Sequence, residues 1–322
     1  MRVLVRLLVP LLLALTPAVA GAQQYPTRPV RMIVPFGPGG TVDVFARIAA
    51  DKLTQRMGQS FYVENVAGAS GNIATSQAAK SAPDGQTLFM AFSTYTINPS
   101  LFASVPYDPL KDLIPVSTTG ILTNVMVVST ANPANTVADV IAQARAKPGE
   151  LTYGSSGVGS SLHMSGVILE QRTGVKLQHV PYRGAPAAVL AVINGEVTTG
   201  FFNAPTVVSQ IKAGKLKALA VTTKDRSVIL PDVPTMMETG IPDYVVATWL
   251  GFAVPTGTPA PIVARLNAEI GRIARMPEVK EKLLVQGFEV LPPDTPAAAR
   301  KLIEDDQAVW LPIIKASGAT AE

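Results

Sequence analysis

The stretch that decides the fold is VRMIVPFGPGGTVDVFARIA, residues 30–49. It begins as a short β-branched strand, passes through a turn rich in glycine and proline, and continues with apolar residues at helical spacing. The same order returns in LTYGSSGVGSSLHMSGVIL, residues 151–169, where the turn is rich in serine and glycine. Two strand–turn–helix units, one in each half of the chain, predict two similar lobes that face each other.

Between and after these units, short apolar runs alternate with helical patterns. The sequence predicts strands at 61–63, 87–92, 125–129, 178–182, 197–202, 216–222 and 244–254. It predicts helices at 73–80, 136–147, 186–193, 205–212, 259–275 and 296–314, and it places Tyr95 and Asn98 in a loop. Regular alternation of this kind is typical of α/β proteins whose sheets are mainly parallel and flanked by helices.

Composition favours a binding protein over a catalyst. The chain has 322 residues, of which 48% are hydrophobic and 16% charged, so it can form a packed core of about two domains. Its net charge is +4, it has no run of Lys or Arg, and aromatic residues make up only 6%, which argues against nucleic-acid binding. Cysteine is absent and only His163 and His179 supply imidazole, so the sequence predicts neither a metal site nor a cofactor.

The N-terminus has the layout of a secretory signal peptide. Arg2 and Arg6 precede an apolar segment at 7–15, and the small residues at 18–22 offer cleavage after Ala20 or Ala22. The apolar segment is shorter than the ~20 residues that a bilayer-spanning helix needs. The sequence therefore predicts a signal peptide at residues 1–22 and a mature protein outside the cytoplasmic membrane.

The two glycine-rich turns are the candidate binding elements. In open α/β sheets, ligands lie beyond the carboxyl ends of the strands, where a helix N-terminus offers unpaired N–H groups and partial positive charge. Neither turn has the glycine pattern of a nucleotide-binding loop. The pair predicts a cleft for a small carboxylate, and the alternative is that both turns are only tight connections.

A second alternative is a secreted serine hydrolase. Ser155 or Ser156 would be the nucleophile and His163 the base, although Val158 interrupts the G-x-S-x-G pattern. Arg183 follows a predicted strand and is either a surface cation or a clamp for a carboxylate. His163 and His179 lack neighbouring carboxylates in a metal-binding motif, and Trp249 and Trp310 are interpreted as packing residues.

An ordered set of motifs gives a specific resemblance. The chain opens with Tyr25-Pro26-x-Arg28-Pro29 and Pro35-Phe36-x-Pro38-Gly39-Gly40-x-x-Asp43. Further stretches are VENxxG at 63–68, PDG at 83–85, NPSL at 98–101, PYDP at 106–109, SSGVGS at 155–160, HVPYRG at 179–184, IKAGKL at 211–216, PDVPT at 231–235 and WxG at 249–251. Together they resemble the substrate-binding proteins of tripartite tricarboxylate transporters, the Bug family, over essentially the whole mature chain.

The resemblance implies a two-lobed periplasmic binding protein of the Venus-flytrap type. It would be a monomer in the periplasm, without enzymatic activity, that passes a small organic carboxylate to the transporter's membrane subunits. Lobe 1 would comprise residues 23–122 and 250–322, and lobe 2 residues 123–249. The ligand contacts that it implies are Phe36, Gly39, Gly40, Thr94, Ser155, Ser156, His163, Arg183, Gly184, Phe202 and Asn203.

Phe202 marks a departure from the family pattern. Many members carry Asp at this point in a Phe-Asp-Ser/Asn-Leu-Pro stretch, whereas this chain reads Phe201-Phe202-Asn203-Ala204-Pro205. If Phe202 faces the cleft, the ligand is expected to be an amine-free acid with an apolar part. The alternative is that Phe202 packs in its strand and carries no information about the ligand.

Overall fold

The computed structural model describes residues 25–39, 41–158, 160–182, 184–285 and 287–317. The predicted signal peptide and the predicted site residues Gly40 and Arg183 lie outside these ranges. Within them, no helix combines the length and the apolar character needed to cross a bilayer.

The described residues form ten strands and ten α-helices. The strands are β1 (Val30–Val34), β2 (Phe61–Asn65), β3 (Thr87–Phe92), β4 (Leu113–Ser129), β5 (Thr152–Ser155), β6 (Gln178–Pro181), β7 (Thr199–Asn203), β8 (Leu216–Val221), β9 (Ala247–Pro255) and β10 (Phe288–Val290). The helices are α1 (Thr41–Met57), α2 (Asn72–Ala79), α3 (Thr94–Leu101), α4 (Val137–Ala146), α5 (Ser161–Thr173), α6 (Ala185–Asn194), α7 (Ala204–Lys212), α8 (Ala260–Ala274), α9 (Pro277–Val285) and α10 (Pro296–Ser317).

The strands join in one mixed sheet with the order β2-β1-β3-β9-β4-β7-β5-β6, and β8 and β10 pair with β4. At one end β1 pairs in parallel with β2 and β3, and at the other end β5 pairs in parallel with β6 and β7. The pairs that involve β4 or β9 are antiparallel. The α/β class is as predicted, but parallel pairing is confined to the outer strands, because a chain that leaves one half and returns on a neighbouring strand must reverse its direction.

β4 connects the two halves of the sheet: the first contains β1, β2, β3 and β9, and the second contains β5, β6, β7 and β8. Its residues from Leu113 to Thr123 pair with β9, and its residues from Asn124 onward pair with β7 and β8. Gly251 of β9 lies so close to β4 that an added Cβ would be 2.2 Å from the carbonyl oxygen of Ser117. This change of partners falls between Thr123 and Asn124, one residue after the predicted lobe boundary at 122/123. The division into two lobes with the boundaries given above stays a prediction.

The C-terminal helix packs on both halves. Ile303 lies in a cluster with residues of β1, β3 and β9, whereas Trp310 lies in a cluster with residues of β4–β8. Between them, the Asp306 carboxylate accepts hydrogen bonds from Trp249 Nε1 (3.1 Å), Trp310 Nε1 (2.8 Å) and the Thr96 hydroxyl (2.5 Å). Burial raises the pKa of Asp306 to about 6, and the three hydrogen bonds oppose this rise. Both tryptophans are packing residues, as interpreted from sequence.

The main local differences from the sequence prediction lie around the connecting strands. Tyr95 and Asn98 lie on α3, so their placement in a loop was wrong; Pro99 inside that helix hid its pattern. The first part of β4, α9 and β10 were not predicted. β4 carries the polar run Ser117-Thr118-Thr119-Gly120, which gives no alternating pattern because β9 pairs with it and helices cover it.

Candidate ligand-binding site

Helix N-termini from both halves meet at the connecting strand β9. The backbone N–H of Ser93, just before α3, donates to the carbonyl oxygen of Trp249 at 3.1 Å. The hydroxyl of the preceding residue, Thr248, donates to Oγ of Ser161, the first residue of α5, at 2.7 Å. The start of α3 and the start of α5 are thus bound to adjacent residues of one strand.

A buried carboxylate stabilises the first glycine-rich turn, residues 36–39. Asp43, in the first turn of α1, is 2% exposed and accepts the N–H of Gly39 at 2.9 Å. Arg47 Nε donates to the same oxygen at 2.9 Å, and Asn65 Nδ2 donates to the other at 2.8 Å. The amide of Asn65 also donates to the carbonyl oxygen of Phe36 at 2.9 Å. Asp43 and Asn65, which bond each other, therefore fix the two ends of the turn from Phe36 to Gly39.

This arrangement changes the role predicted for Gly39. Its N–H is committed to Asp43, so it does not point to a ligand, and its φ of +81° is one that glycine adopts without strain. Burial alone would raise the pKa of Asp43, but hydrogen bonds from Arg47, Gly39 and Asn65 outweigh it and hold the pKa below its usual value. The carboxylate is therefore ionised at neutral pH.

Thr94, the first residue of α3, is partly exposed. A Cβ added to Gly71, before α2, would lie 3.1 Å from Pro35 Cβ and 3.7 Å from Thr94 Oγ1, so the ends of β1 and β3 and the start of α2 converge here. Phe36 packs edge to face on Phe92 at 5.1 Å beside this point. Among the described residues, the Thr94 hydroxyl has no hydrogen-bond partner, which leaves it available to a ligand.

A serine and a histidine hold the second turn. Ser155 Oγ is 2.7 Å from His179 Nε2 and accepts the N–H of Gly157 at 3.1 Å. Gly157 has a φ of +134°, and Ser160 caps α5 by accepting the N–H of His163. The turn is therefore held by uncharged groups, in contrast to the first turn.

Two stacked imidazoles lie beneath this turn. The rings of His163 and His179 are 3.9 Å apart and nearly parallel, and Tyr153 packs against both. Burial, with a smaller contribution from the neighbouring His179, lowers the pKa of His163 to about 3, and burial lowers that of His179 to about 4. Both rings are therefore neutral at pH 7.

The geometry does not support the hydrolase alternative. Ser155 is fully buried and bonds His179 rather than His163, so it presents no exposed nucleophile. Ser156 is partly exposed, but within the described parts of the chain its hydroxyl has no hydrogen-bond partner and hence no base beside it. The same residues contain no group of three or more metal-ligating side chains.

The remaining second-half candidates separate into core and cleft positions. Phe202 is 0% exposed, and its ring covers Gly200 and lies on the side of α6, where a Cβ on Gly200 would be 2.4 Å from the ring and 3.2 Å from Val192. This burial agrees with the alternative in which Phe202 packs in its strand. Asn203 at the end of β7 is partly exposed, and its amide donates to Asn124 Oδ1 at 2.8 Å.

Gly184 precedes α6 with a φ of +100°, and its N–H donates to the carbonyl oxygen of Tyr182 at 2.9 Å. Like the amide of Gly39, this donor is used within its own turn. Its positive φ lets the chain turn into α6.

Sequence reasoning missed the residues that hold the turns. The signal for Asp43 is an acid in the first turn of a helix, which is typical of a contact to the preceding backbone. No metal-binding motif surrounds His179 to indicate a role for its ring. The parallel pairing of β5 and β6, with Tyr153 opposite His179, is what brings its ring under Ser155, and sequence gives no direct signal for that register.

Comparison with known proteins identifies the family. The model of the tripartite tricarboxylate transporter family receptor matches residues 45–319. The chain belongs to this family. This receptor is 38% identical to protein BugT of Bordetella pertussis over 304 residues, which cover 94% of this chain and 93% of BugT. The resemblance seen in the motifs is thereby confirmed.

Solved structures agree with the fold of the receptor. A TctC solute-binding protein from Polaromonas superposes with a TM-score of 0.82 at 30% identity, covering 90% of this chain and 99% of its own. Rpa4515 of R. palustris, solved with adipate, gives 0.76 at 35% identity and covers 91% and 98%. MatC of Rhodopseudomonas palustris, solved with malate, gives 0.73 at 30% identity and covers 90% and 100%. The α/β fold of a TctC-type periplasmic binding protein is therefore confirmed.

Proposed function

We propose that this receptor binds a small dicarboxylate without an amino group, at the point where α3 and α5 begin on either side of β9. The observation that carries the proposal is the attachment of both helix starts to Thr248 and Trp249. The bound adipate and malate of two related proteins, at 35% and 30% identity, support this class of ligand.

The charges around these helix starts suit an anion. α3, α5, α6 and α7 have no acidic residue in their first turns, so their partial positive charge is not neutralised. α1 differs, because Asp43 occupies its first turn. The hydroxyls of Thr94 and Ser156, both partly exposed residues, supply donors from the two halves, and each hydrogen bond to a charged group contributes about 1.5–3 kcal/mol.

The lack of a free carboxylate at the site argues against a zwitterionic amino acid. Of the described acidic residues, Asp43 is the one that bonds to the first glycine-rich turn, and it already forms an ion pair with Arg47. A bound ammonium group would therefore be desolvated without an anionic partner, which is costly. We expect malate and adipate to be better ligands than aspartate and glutamate.

In the cell, this receptor would act in the periplasm after removal of residues 1–22 and would pass its ligand, as a monomer, to the membrane subunits of a transporter. It would release the ligand chemically unchanged. Arg183, whose side chain lies outside the described residues, is proposed as a further contact to the carboxylate.

Calorimetry with malate, adipate, aspartate and glutamate tests the proposal. We expect the two amine-free acids to bind, Ser156→Ala and Thr94→Val each to weaken that binding by about tenfold, which corresponds to ~1.4 kcal/mol, and Ser209→Ala on the exposed side of α7 to leave it unchanged. Absence of binding by all four acids, or equal affinity for malate and aspartate, would contradict the proposal.

A further inference from the structure

Asp43 makes more contacts with the first glycine-rich turn, residues 36–39, than a helix cap requires. An acid near the start of a helix usually accepts one or two local N–H groups. Asp43 accepts Gly39 N–H four residues back and, through Asn65, also controls the carbonyl oxygen of Phe36. The side chain of Arg47 completes the set. The carboxylate therefore joins α1, the end of β2 and both ends of the turn after β1.

We propose that Asp43 is a positioning residue of the ligand site, which holds the turn from Phe36 to Gly39 in its binding conformation before the ligand arrives. The proposal rests on the proposed function for the location of the site. A turn that is ordered in advance does not lose conformational freedom on binding, and this makes binding tighter without any direct contact. Asp43 itself does not touch the ligand, because it is 2% exposed and directed into the protein.

The negative charge of Asp43 would have an energetic cost beside a site for an anion. A carboxylate beside an anion site repels the ligand unless its charge is compensated. Here Arg47 Nε lies 2.9 Å from Asp43 Oδ2, and Asn65 and Gly39 donate to the carboxylate as well. The charge of the Asp43 carboxylate is thus balanced next to the site, and the carboxylate holds the turn in a fixed conformation.

α4 offers a matched control for simple capping. Asp139 occupies the same position in its helix, where it accepts the backbone N–H groups of Thr136 and Asn135, and Thr136 Oγ1 accepts its own N–H in return. β4 runs antiparallel to β7, so α4 begins at the opposite edge of the sheet from α5 and α7. Asp139→Ala therefore removes a cap of the same kind away from the proposed site.

The experiment measures adipate affinity by calorimetry and amide exchange of Gly39 by NMR, in the full mature chain. For Asp43→Ala we expect at least a tenfold loss of affinity and at least a tenfold faster exchange of the Gly39 amide without ligand. Asp43→Asn keeps one carbonyl oxygen as an acceptor and serves if the alanine variant does not fold; we expect a smaller change in the same direction. Asp139→Ala is expected to leave both quantities at the wild-type values.

The two proposals fail in distinguishable ways. If the wild-type protein does not bind adipate, this choice of ligand for the proposed function is wrong, while the exchange of Gly39 in the unliganded variants still decides the role of Asp43. If adipate binds but Asp43→Asn and Asp43→Ala retain wild-type affinity, or if Gly39 exchanges at the wild-type rate in both, Asp43 is not a positioning residue. A purely structural role would leave amide exchange at Gly39 no more affected than amide exchange within α1.

Discussion

The two glycine-rich turns have similar places in the fold and are held by different chemistry. The first, after β1, is held by the ionised Asp43 with Arg47 and Asn65. The second, after β5, is held by neutral groups, Ser155 and His179. Each turn needs a glycine at positive φ, Gly39 in one and Gly157 in the other. Similar backbone shapes in the two halves therefore do not require similar side chains.

This difference between the turns indicates which helix N-terminus can interact with the negative charge of a ligand. The acid in α1 neutralises the positive end of that helix, whereas α5 has no acidic residue in its first turn. The helix after the second turn thus keeps its positive end available to an anion, as α3 does beside Thr94, whereas the helix after the first turn does not. We infer that the ligand's carboxylate interacts more strongly with the start of α5 than with the start of α1.

The largest expected difference between the turns concerns their contribution to stability. Asp43→Ala removes three charge-assisted hydrogen bonds and should lower the free energy of unfolding by about 3 kcal/mol. Ser155→Ala removes a neutral hydroxyl and should lower it by about 1 kcal/mol. Urea denaturation of both variants at pH 7 measures the difference. Equal losses would mean that the charge of Asp43 adds nothing to the hold on its turn.

As the pH falls, the second glycine-rich turn should lose its contribution to stability at a higher pH than the first. The folded-state pKa values of His163 and His179 lie near 3 and 4, below the unfolded value of about 6.5. Their neutral forms therefore contribute stability that is complete above pH 6.5 and is lost as the pH falls towards 4. Allowing for the partial exposure of His179, we expect a loss of about 2 kcal/mol between pH 7 and pH 5. Asp43 has a lowered pKa, so its contribution is lost only below its usual range, under about pH 4.

Comparison of wild type with His179→Gln isolates this effect. Urea denaturation at pH 7, 6 and 5 should show a smaller loss in the variant, because glutamine does not titrate. Asp306, with a pKa raised to about 6, contributes a pH dependence of opposite sign, but both proteins retain it and it cancels in the difference. A variant that loses stability with pH as steeply as wild type would show that the histidines are not responsible.

The smallest expected difference is between the two glycines. An alanine at Gly39 meets no atom within 4 Å, so Gly39→Ala should cost about 1 kcal/mol from its left-handed φ alone. Gly157 has a φ of +134°, which other residues rarely adopt, and Gly157→Ala should cost about 2 kcal/mol. Gly149→Ala, at a φ of +79° and in open space, is the control for Gly39 and should match it by thermal denaturation. The comparison of the turns would be wrong if Gly39→Ala proved the costlier.

Sequence predicted the outer parts of the fold well because local patterns determine them. β3 has the predicted bounds of 87–92, and the helix predicted at 136–147 is α4, which a capping box of Thr136 and Asp139 begins. The first part of β4 and the helix α3 escaped prediction because their neighbours, not their own patterns, fix them. Ser117 and Thr118 fit in a buried strand because the Asp294 carboxylate bonds both hydroxyls. No local signal in the sequence announces such a partner 177 residues away.

At the candidate site, residue type was more predictable than role. Serine and glycine in turns between strand and helix predict where the site lies, and Thr94 and Ser156 stay proposed ligand contacts whose hydroxyls have no hydrogen-bond partner among the described residues. Gly39 and Ser155 instead serve the internal structure of their turns. Phe202 illustrates the limit most directly: its neighbour Gly200 leaves the space that its ring fills, and only tertiary packing reveals this.

The most direct test of the account is a crystal structure of the mature receptor grown with adipate. We expect one adipate between the halves, with a carboxylate oxygen about 3 Å from Ser156 Oγ, a typical hydrogen-bond distance, and with Thr94 Oγ1 contacting the same molecule from the other side. Asp43 should keep its bond to the Gly39 amide and make no contact with the ligand. Adipate bound outside this cleft, or bound by Asp43 and Gly39 directly, would contradict the account.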